Sequence, residues 1–137
     1  MRILAMMLCF LCLVGCTRYP EDLQSLQRDP MADAAFANAE LVRSSAKEAE
    51  TLTGKPSPAA ISNVYRPIAG TIAQLQEAAI KLAVANGWSL DAPRDDVVTG
   101  HKNVESGGAQ ISIYPIDEQG EQALLVRLEH DWDHPTT

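Results

Sequence analysis

The clearest periodic pattern in the chain predicts a helix over residues 71–86. Its apolar side chains recur at helical spacing and fall on one face: Ile68, Ile72, Leu75, Ala79, Leu82 and Ala83. Thr71 and Gln74 match the Ser/Thr-x-x-Glu/Gln pattern of a capping box. Gly87 stands where helices commonly end in the left-handed conformation. We therefore expect a helix with one apolar face, and Trp88 directly after it to be buried.

Alternating apolar and polar positions predict strands on both sides of this helix. The segments are residues 60–65, 97–102, 110–116 and 122–130, with a further short strand over residues 88–90. Turn signals, Ser106-Gly107-Gly108 and residues 117–120, separate the last three long segments. Connections this short imply antiparallel pairing. The predicted fold class is α+β: an antiparallel β-meander of three to five strands covered by one amphipathic helix.

Residues 31–52 leave helix and strand open as alternatives. Asp29 and Pro30 resemble a helix start, and the segment after them is rich in Ala and Glu. Its apolar stripe consists mostly of alanines, so a helix would gain little from packing. Residues 39–45 are a competing strand. The prolines and glycine of residues 53–58 end either element.

The first sixteen residues carry an export signal. An apolar run over residues 3–14 follows the single charge of Arg2. This run is too short for a membrane span, which needs roughly 20 apolar residues. Leu13-Val14-Gly15-Cys16 resembles the lipobox of bacterial lipoproteins. The resemblance implies cleavage between Gly15 and Cys16 and acylation of the Cys16 thiol. The alternative is an ordinary secretory signal that is cleaved after Cys16 or near Thr17.

The lipobox predicts both the domain organisation and the location. Residues 1–15 form the signal peptide, residues 16–30 a lipidated tether and residues 31–137 a single domain. The protein is expected on a cell membrane, facing outside the cytoplasm. In a Gram-negative cell, Thr17 after the cysteine implies the outer membrane. The layout is also similar to small lipoproteins of high-GC Gram-positive bacteria, a resemblance that assigns no site.

Charge and cysteine usage narrow the possible partners. The net charge of −7 argues against nucleic acid and against a domain that lies flat on an anionic membrane, since both favour basic patches. Cys9 and Cys12 fall in the signal peptide, so a mature chain has no intramolecular disulfide. The acidic body is compatible with a domain that stands off the membrane on its tether.

Few residues point to catalysis or metal binding. His130 and His134 are weak metal candidates, because along a strand they would lie about 13 Å apart. His101 would need a serine and an acid brought to it by the fold, and no Gly-x-Ser-x-Gly motif is present. We therefore expect no cofactor, no catalytic residue and no enzymatic activity.

The remaining candidate is a surface. Tyr114 and Leu125 are predicted on the sheet face away from the helix. Either residues 31–52 cover that face, which we favour, or it is an apolar patch for a partner. The expected function is a binding module for another protein of the cell envelope. A small-ligand or metal carrier is the alternative, and a hydrolase comes third.

Overall fold

The computed structural model describes residues 16–52 and 54–135. Its helices are α1 (Pro20–Gln27), a 3-10 helix (Pro30–Asp33) and α2 (Ile72–Ala85). Its strands are β1 (Cys16–Tyr19), β2 (Ala39–Lys47), β3 (Ala49–Leu52), β4 (Lys55–Ser57), β5 (Ala60–Pro67), β6 (Ser89–Leu90), β7 (Val98–Val104), β8 (Gly107–Glu118) and β9 (Glu121–His130). The predicted signal peptide and Gly15 of the cleavage site lie outside these residues. Within the described ranges, no helix has the length and apolar character to span a bilayer.

Six strands form the main sheet, in the order β2-β5-β9-β8-β7-β6, with every pair antiparallel. The hydrophobic core lies on one of its faces. Along β9 the buried Leu124, Val126 and Leu128 alternate with half-buried side chains of the other face. Helix α1 contacts β5 and β9, and α2 contacts β5, β8 and β9. Both helices contribute side chains to the same core cluster as these strands.

Helix α2 confirms the strongest prediction. The Thr71 hydroxyl accepts a hydrogen bond from the Gln74 amide at 3.2 Å, and the Gln74 side chain accepts one from the Thr71 amide at 3.0 Å. Both bonds of the capping box are therefore present. Gly87 adopts a φ of +89° just past the helix end, and Trp88 is buried.

The predicted fold class is confirmed, but its details differ. The strands expected over residues 60–65, 88–90, 97–102, 110–116 and 122–130 all form. The predicted meander of three to five strands is too small, because β5 joins β9 and β2 extends the sheet to six. A second helix, α1, also packs on the sheet, and a small second sheet forms in the order β1-β3-β4.

Most of residues 31–52 form strands, over residues 39–47 and 49–52, so the long helix considered for this segment is wrong and the strand over residues 39–45 is right. After the 3-10 helix, residues 39–47 pair with β5, and residues 49–52 pair with both β1 and β4. A helix would have buried mostly alanine methyl groups. The strands instead pair their backbone groups with neighbouring strands, which makes the strand the better solution for a segment with few large apolar side chains.

The tether expected over residues 16–30 is instead folded. Strand β1 pairs with β3, and α1 buries Leu26 completely within the core. Burial of one leucine contributes about 2 kcal/mol, and the buried polar residues Asp22 and Ser25 make further contacts described below. Residues 16–30 are therefore part of the packed structure.

Candidate functional site

The two C-terminal histidines meet at one carboxylate of helix α1. His134 donates a hydrogen bond from Nε2 to Asp22 Oδ2 at 2.6 Å, and His130 Nδ1 lies 3.6 Å from the same oxygen. Asp22 and His130 are only 2% and 1% exposed. The chain leaves β9 after His130 and bends back over α1, so the extended separation of about 13 Å does not apply. The tail is therefore packed against the domain.

Both ring nitrogens of His130 have protein partners. Nδ1 lies 2.7 Å from the carbonyl oxygen of Asp131, so it carries the proton and donates. Nε2 accepts from the Ser106 hydroxyl at 2.8 Å. Among the described residues, no group of three or more His, Cys, Asp or Glu side chains could hold a metal ion. In this geometry the two histidines join the tail to α1 through Asp22.

Ser106 and His130 have the spacing of a nucleophile and its base, but their surroundings favour a structural role. The Ser106 backbone N–H donates to Ser25 Oγ at 2.8 Å, so it does not point into an open oxyanion site. The carboxylates of Asp131 and Asp133 lie against the start of β8 beside this pair. Negative charge at this position opposes an oxyanion.

His101 lies elsewhere, on the exposed side of β7. Its Nε2 is 3.4 Å from Asp91 Oδ2, and both side chains are more than half exposed. Ser106 bonds the ring of His130 instead. The structure therefore does not bring His101 together with that serine.

Gly107 and Gly108 lie beside the hairpin turn that was expected to contain them. The turn itself consists of Glu105 and Ser106, and Gly107 and Gly108 are the first residues of β8. Gly107 has a φ of +147°, and a Cβ there would collide with the Asp133 carboxylate. A Cβ on Gly108 would collide with Asp131. The glycines therefore let the C-terminal tail cross the β7–β8 hairpin.

A second buried carboxylate, Asp29, joins three parts of the chain. Its Oδ1 accepts from the Met31 amide at 2.9 Å and from Trp88 Nε1 at 3.2 Å. Its Oδ2 accepts from Lys102 Nζ at 2.5 Å, and Lys102 also donates to the carbonyl oxygen of Asn86 at 2.6 Å. The Asp-Pro pattern predicts the capping role of Asp29, but only the fold places Trp88 and Lys102 beside it.

The sheet face that carries Tyr114 and Leu125 is not covered by residues 31–52. Those residues extend the main sheet and build the small one, so the expected cover is wrong. Both side chains are half-buried. Leu125 pairs across the strands with Tyr114 on one side and with the buried Val64 on the other, so the three form an apolar row. Beside this row, Arg127 donates to Ser62 Oγ at 3.0 Å and to Glu129 at 2.8 Å. The face is therefore mixed in polarity.

The most accessible backbone lies along β2, at one edge of the main sheet. Eight of its nine residues are exposed, including Leu41 and Val42. A bulge between Leu41 and Arg43 interrupts the pairing with β5, and the register is regular from Arg43 to Lys47. The opposite edge, β6, has only two residues. Within residues 16–52 and 54–135, the outer edge of β2 is therefore a long edge with no paired strand.

Ion pairs surround the start of this edge. Arg66 binds Glu40 on β2 and, at 3.1 Å, Glu121 at the β8–β9 hairpin. These bonds to Glu40 and Glu121 raise the pKa of Arg66. Arg43 binds Glu118 at 3.0 Å. The charges fix the position of β2 relative to the neighbouring hairpin.

A groove of about 440 Å³ lies beside the same strand. It separates the segment before β2 from the first half of α2 and is mostly apolar. Its lining residues are Phe36, Ala37, Asn38, Ala69, Gly70, Gln74, Leu75 and Ala78. Its volume is within the range of small-ligand sites, about 300–1,000 Å³.

The lipobox cysteine is the first residue of β1. In the small sheet, the backbone of Cys16 pairs with Leu52, and Leu52 pairs with Lys55. Leu52 and Lys55 flank the tip of the long hairpin made by β2–β3 and β4–β5. An acyl group on Cys16 would therefore be attached next to a fixed part of the fold.

Comparisons with protein-family models, with curated proteins and with solved structures gave no significant match.

Proposed function

We propose that this chain is a lipid-anchored extracytoplasmic protein that binds another envelope protein and does not catalyse a reaction. The lipobox supports the anchor at Cys16. The anchor would be permanent if it carried two or more acyl chains, because each buried methylene contributes about 0.8 kcal/mol. The acidic charge of the chain is unfavourable for nucleic acid.

The open edge of β2 carries the binding part of the proposal. An edge strand offers unpaired N–H and C=O groups to an incoming strand. The bulge at Val42 and the charges of Glu40 and Arg43 discourage unspecific pairing, while residues 43–47 keep a regular register. A partner segment in extended conformation is expected to pair with residues 43–47.

The first arm of the long hairpin consists of β2 and β3. On one side of this arm, β5 pairs with β2 and β4 pairs with β3. On its other side, β1 already pairs with β3 as an added strand. β1 ends at Tyr19, opposite Ala49, where α1 begins. The edge beyond that point, along β2, has no added strand among the described residues. A partner strand would continue the position that β1 occupies.

Site-specific photocrosslinking in native cells tests this binding mode. A photoreactive amino acid at Ser45, exposed on β2, should give a discrete adduct with one envelope protein. The control position is Gln110, equally polar and exposed but on the interior strand β8. The same adduct at both positions, or none at Ser45, would contradict strand addition at β2.

The anchor is tested separately. Cys16→Ser should abolish acylation and move the protein from the membrane to the soluble fraction. Retention of the variant in membranes at the wild-type level would show that the lipobox does not anchor the chain. This experiment does not depend on the binding partner.

The groove beside α2 supports a second function, carriage of a small apolar ligand. Phe36 and Leu75 supply apolar walls, and Ala78 is an exposed residue on its α2 side. Native mass spectrometry of the purified protein should then show a bound molecule that is lost in Ala78→Trp, in which the indole fills the groove. A bound metal would be detected in the same spectrum and would support the metal-carrier alternative.

A further inference from the structure

The long hairpin has one end that combines the predicted anchor with exposed apolar and basic side chains. We define this hairpin tip as Arg18, Leu52 and Lys55. Cys16 pairs with Leu52 through the backbone, and Leu52 pairs with Lys55. Arg18 follows two residues after Cys16 on β1, opposite Glu50. The tip is therefore the part of the domain nearest to any lipid on Cys16.

Because residues 16–30 are folded, no flexible linker separates the predicted anchor at Cys16 from the domain. A flexible tether of fifteen residues would allow a separation of about 20 Å, and the domain could rotate freely on it. Here residue 16 is already paired in a strand, and α1 starts four residues later with Leu26 buried. Lipid on Cys16 would consequently hold the tip at the bilayer surface.

The chemistry of the tip suits an anionic lipid surface. Leu52 is 56% exposed, a large apolar side chain beside the anchor. Arg18 and Lys55 are exposed. Arg18 lies 3.9 Å from Glu50, at the outer limit of an ion pair. The two basic side chains therefore outnumber the one acidic side chain here, although the whole chain has a net charge of −7, and basic side chains attract anionic headgroups.

We propose that the hairpin tip is a membrane-contact surface that fixes the orientation of the domain on the bilayer. Leu52 enters the headgroup region, and Lys55 and Arg18 contact lipid phosphates. The proposal rests on acylation of Cys16, as proposed above. It directs β2 away from the membrane, because strands β3 and β2 extend up to about 40 Å from the tip. The open edge would then be accessible to a partner in the surrounding compartment.

Depth-dependent fluorescence quenching tests this orientation. The acylated protein is purified from membranes and reconstituted in vesicles of phosphatidylcholine and phosphatidylglycerol. Leu52→Cys supplies a single thiol for an environment-sensitive dye, since Cys16 is acylated and Cys9 and Cys12 precede the cleavage site. Val84→Cys on α2 is the matched control, because Val84 is also 56% exposed. Lipids that carry a quencher near the headgroup should quench the dye at residue 52 about twofold more than at residue 84.

Equal quenching at residues 52 and 84 on protein that remains bound to vesicles would overturn the orientation. Loss of the protein from the vesicles would instead be a failure of the anchor, so the two proposals fail distinguishably. A charge reversal supplies a second readout. Lys55→Glu should weaken quenching at residue 52 in anionic vesicles, whereas Lys81→Glu on α2 should not. Protection of residue 52 in cells but not in vesicles would show that a protein covers the tip, which also overturns the proposal.

Discussion

Replacement of Asp29 by alanine tests whether the buried carboxylate holds the N-terminal segment on the sheet. The substitution removes the acceptor for the Met31 amide, for Trp88 Nε1 and for Lys102 Nζ. The Asp29 side chain is 1% exposed, so water does not replace these bonds without a rearrangement. We expect a large loss of stability from a single side chain.

The magnitude follows from the partners that are left behind. Loss of one member of a buried ion pair costs about 3–5 kcal/mol. Lys102 is one-quarter exposed and keeps its bond to the Asn86 carbonyl oxygen, which places the cost near the lower limit. The unpaired Trp88 N–H adds about 1 kcal/mol or more. The expected total is about 4 kcal/mol, a large part of the roughly 5–15 kcal/mol that stabilises a domain.

The assay is urea unfolding of the Cys16→Ser protein, followed by the fluorescence of its two tryptophans, Trp88 and Trp132. Asp29→Asn keeps an acceptor for Met31 and Trp88 but loses the charge, so it should cost about half as much. The control is Asp96→Ala, an exposed carboxylate, with an expected change of about 0.5 kcal/mol or less. A loss below about 1 kcal/mol in Asp29→Ala would refute the bridging role, because it would be no larger than that of a simple helix cap.

Three further substitutions test other contacts. Burial, reinforced by the charge of Asp33 and opposed by a bond from Asn63, raises the pKa of Tyr65 above 10.0. Tyr65 therefore makes its full contribution to stability at a pH below its pKa in the unfolded chain, and this contribution is lost as the pH rises through its pKa in the folded protein. Tyr65→Phe should remove this alkaline dependence of the free energy of unfolding, measured by urea unfolding at a series of pH values. Gly107→Ala should lower the melting temperature more than Gly120→Ala, since both have positive φ but only the first is crowded; equal effects would contradict the clash. His134→Ala should accelerate hydrogen exchange in α1, and unchanged exchange would show that the tail does not hold the helix.

Helix α2 and the last three long strands could be predicted from the sequence because their signals are local. The Thr71 capping box and Gly87 define the ends of the helix within a few residues of chain. Alternation along β8 and β9 is equally local, since successive side chains of a strand point to opposite faces. Helix α2 and strands β8 and β9 carry enough large apolar side chains to decide their own conformation, and β7 is indicated by the turn signals that follow it.

The strand β2 and the helix α1 depended on partners far along the chain. Residues 39–47 have few large apolar side chains, and pairing with β5 decides that they form a strand. α1 is only eight residues long, and short helices are marginal without tertiary contacts. The contacts of Leu26 with the core and of Asp22 with His134 are what keep it folded.

The candidate sites likewise separate into those that a local sequence motif indicates and those that only contacts between distant segments create. By itself, the sequence determined a motif, Leu13-Val14-Gly15-Cys16, together with the acidic charge and the local helix and strand patterns, because each of these is complete within a short segment. Only the tertiary structure decided that His130 and His134 both lie beside the carboxylate of Asp22. It also decided that β2 forms an edge of the main sheet and that residue 16 adjoins the hairpin tip. Those features are juxtapositions across as many as 112 positions of sequence, and no local pattern encodes which distant segments the packing of the core brings together.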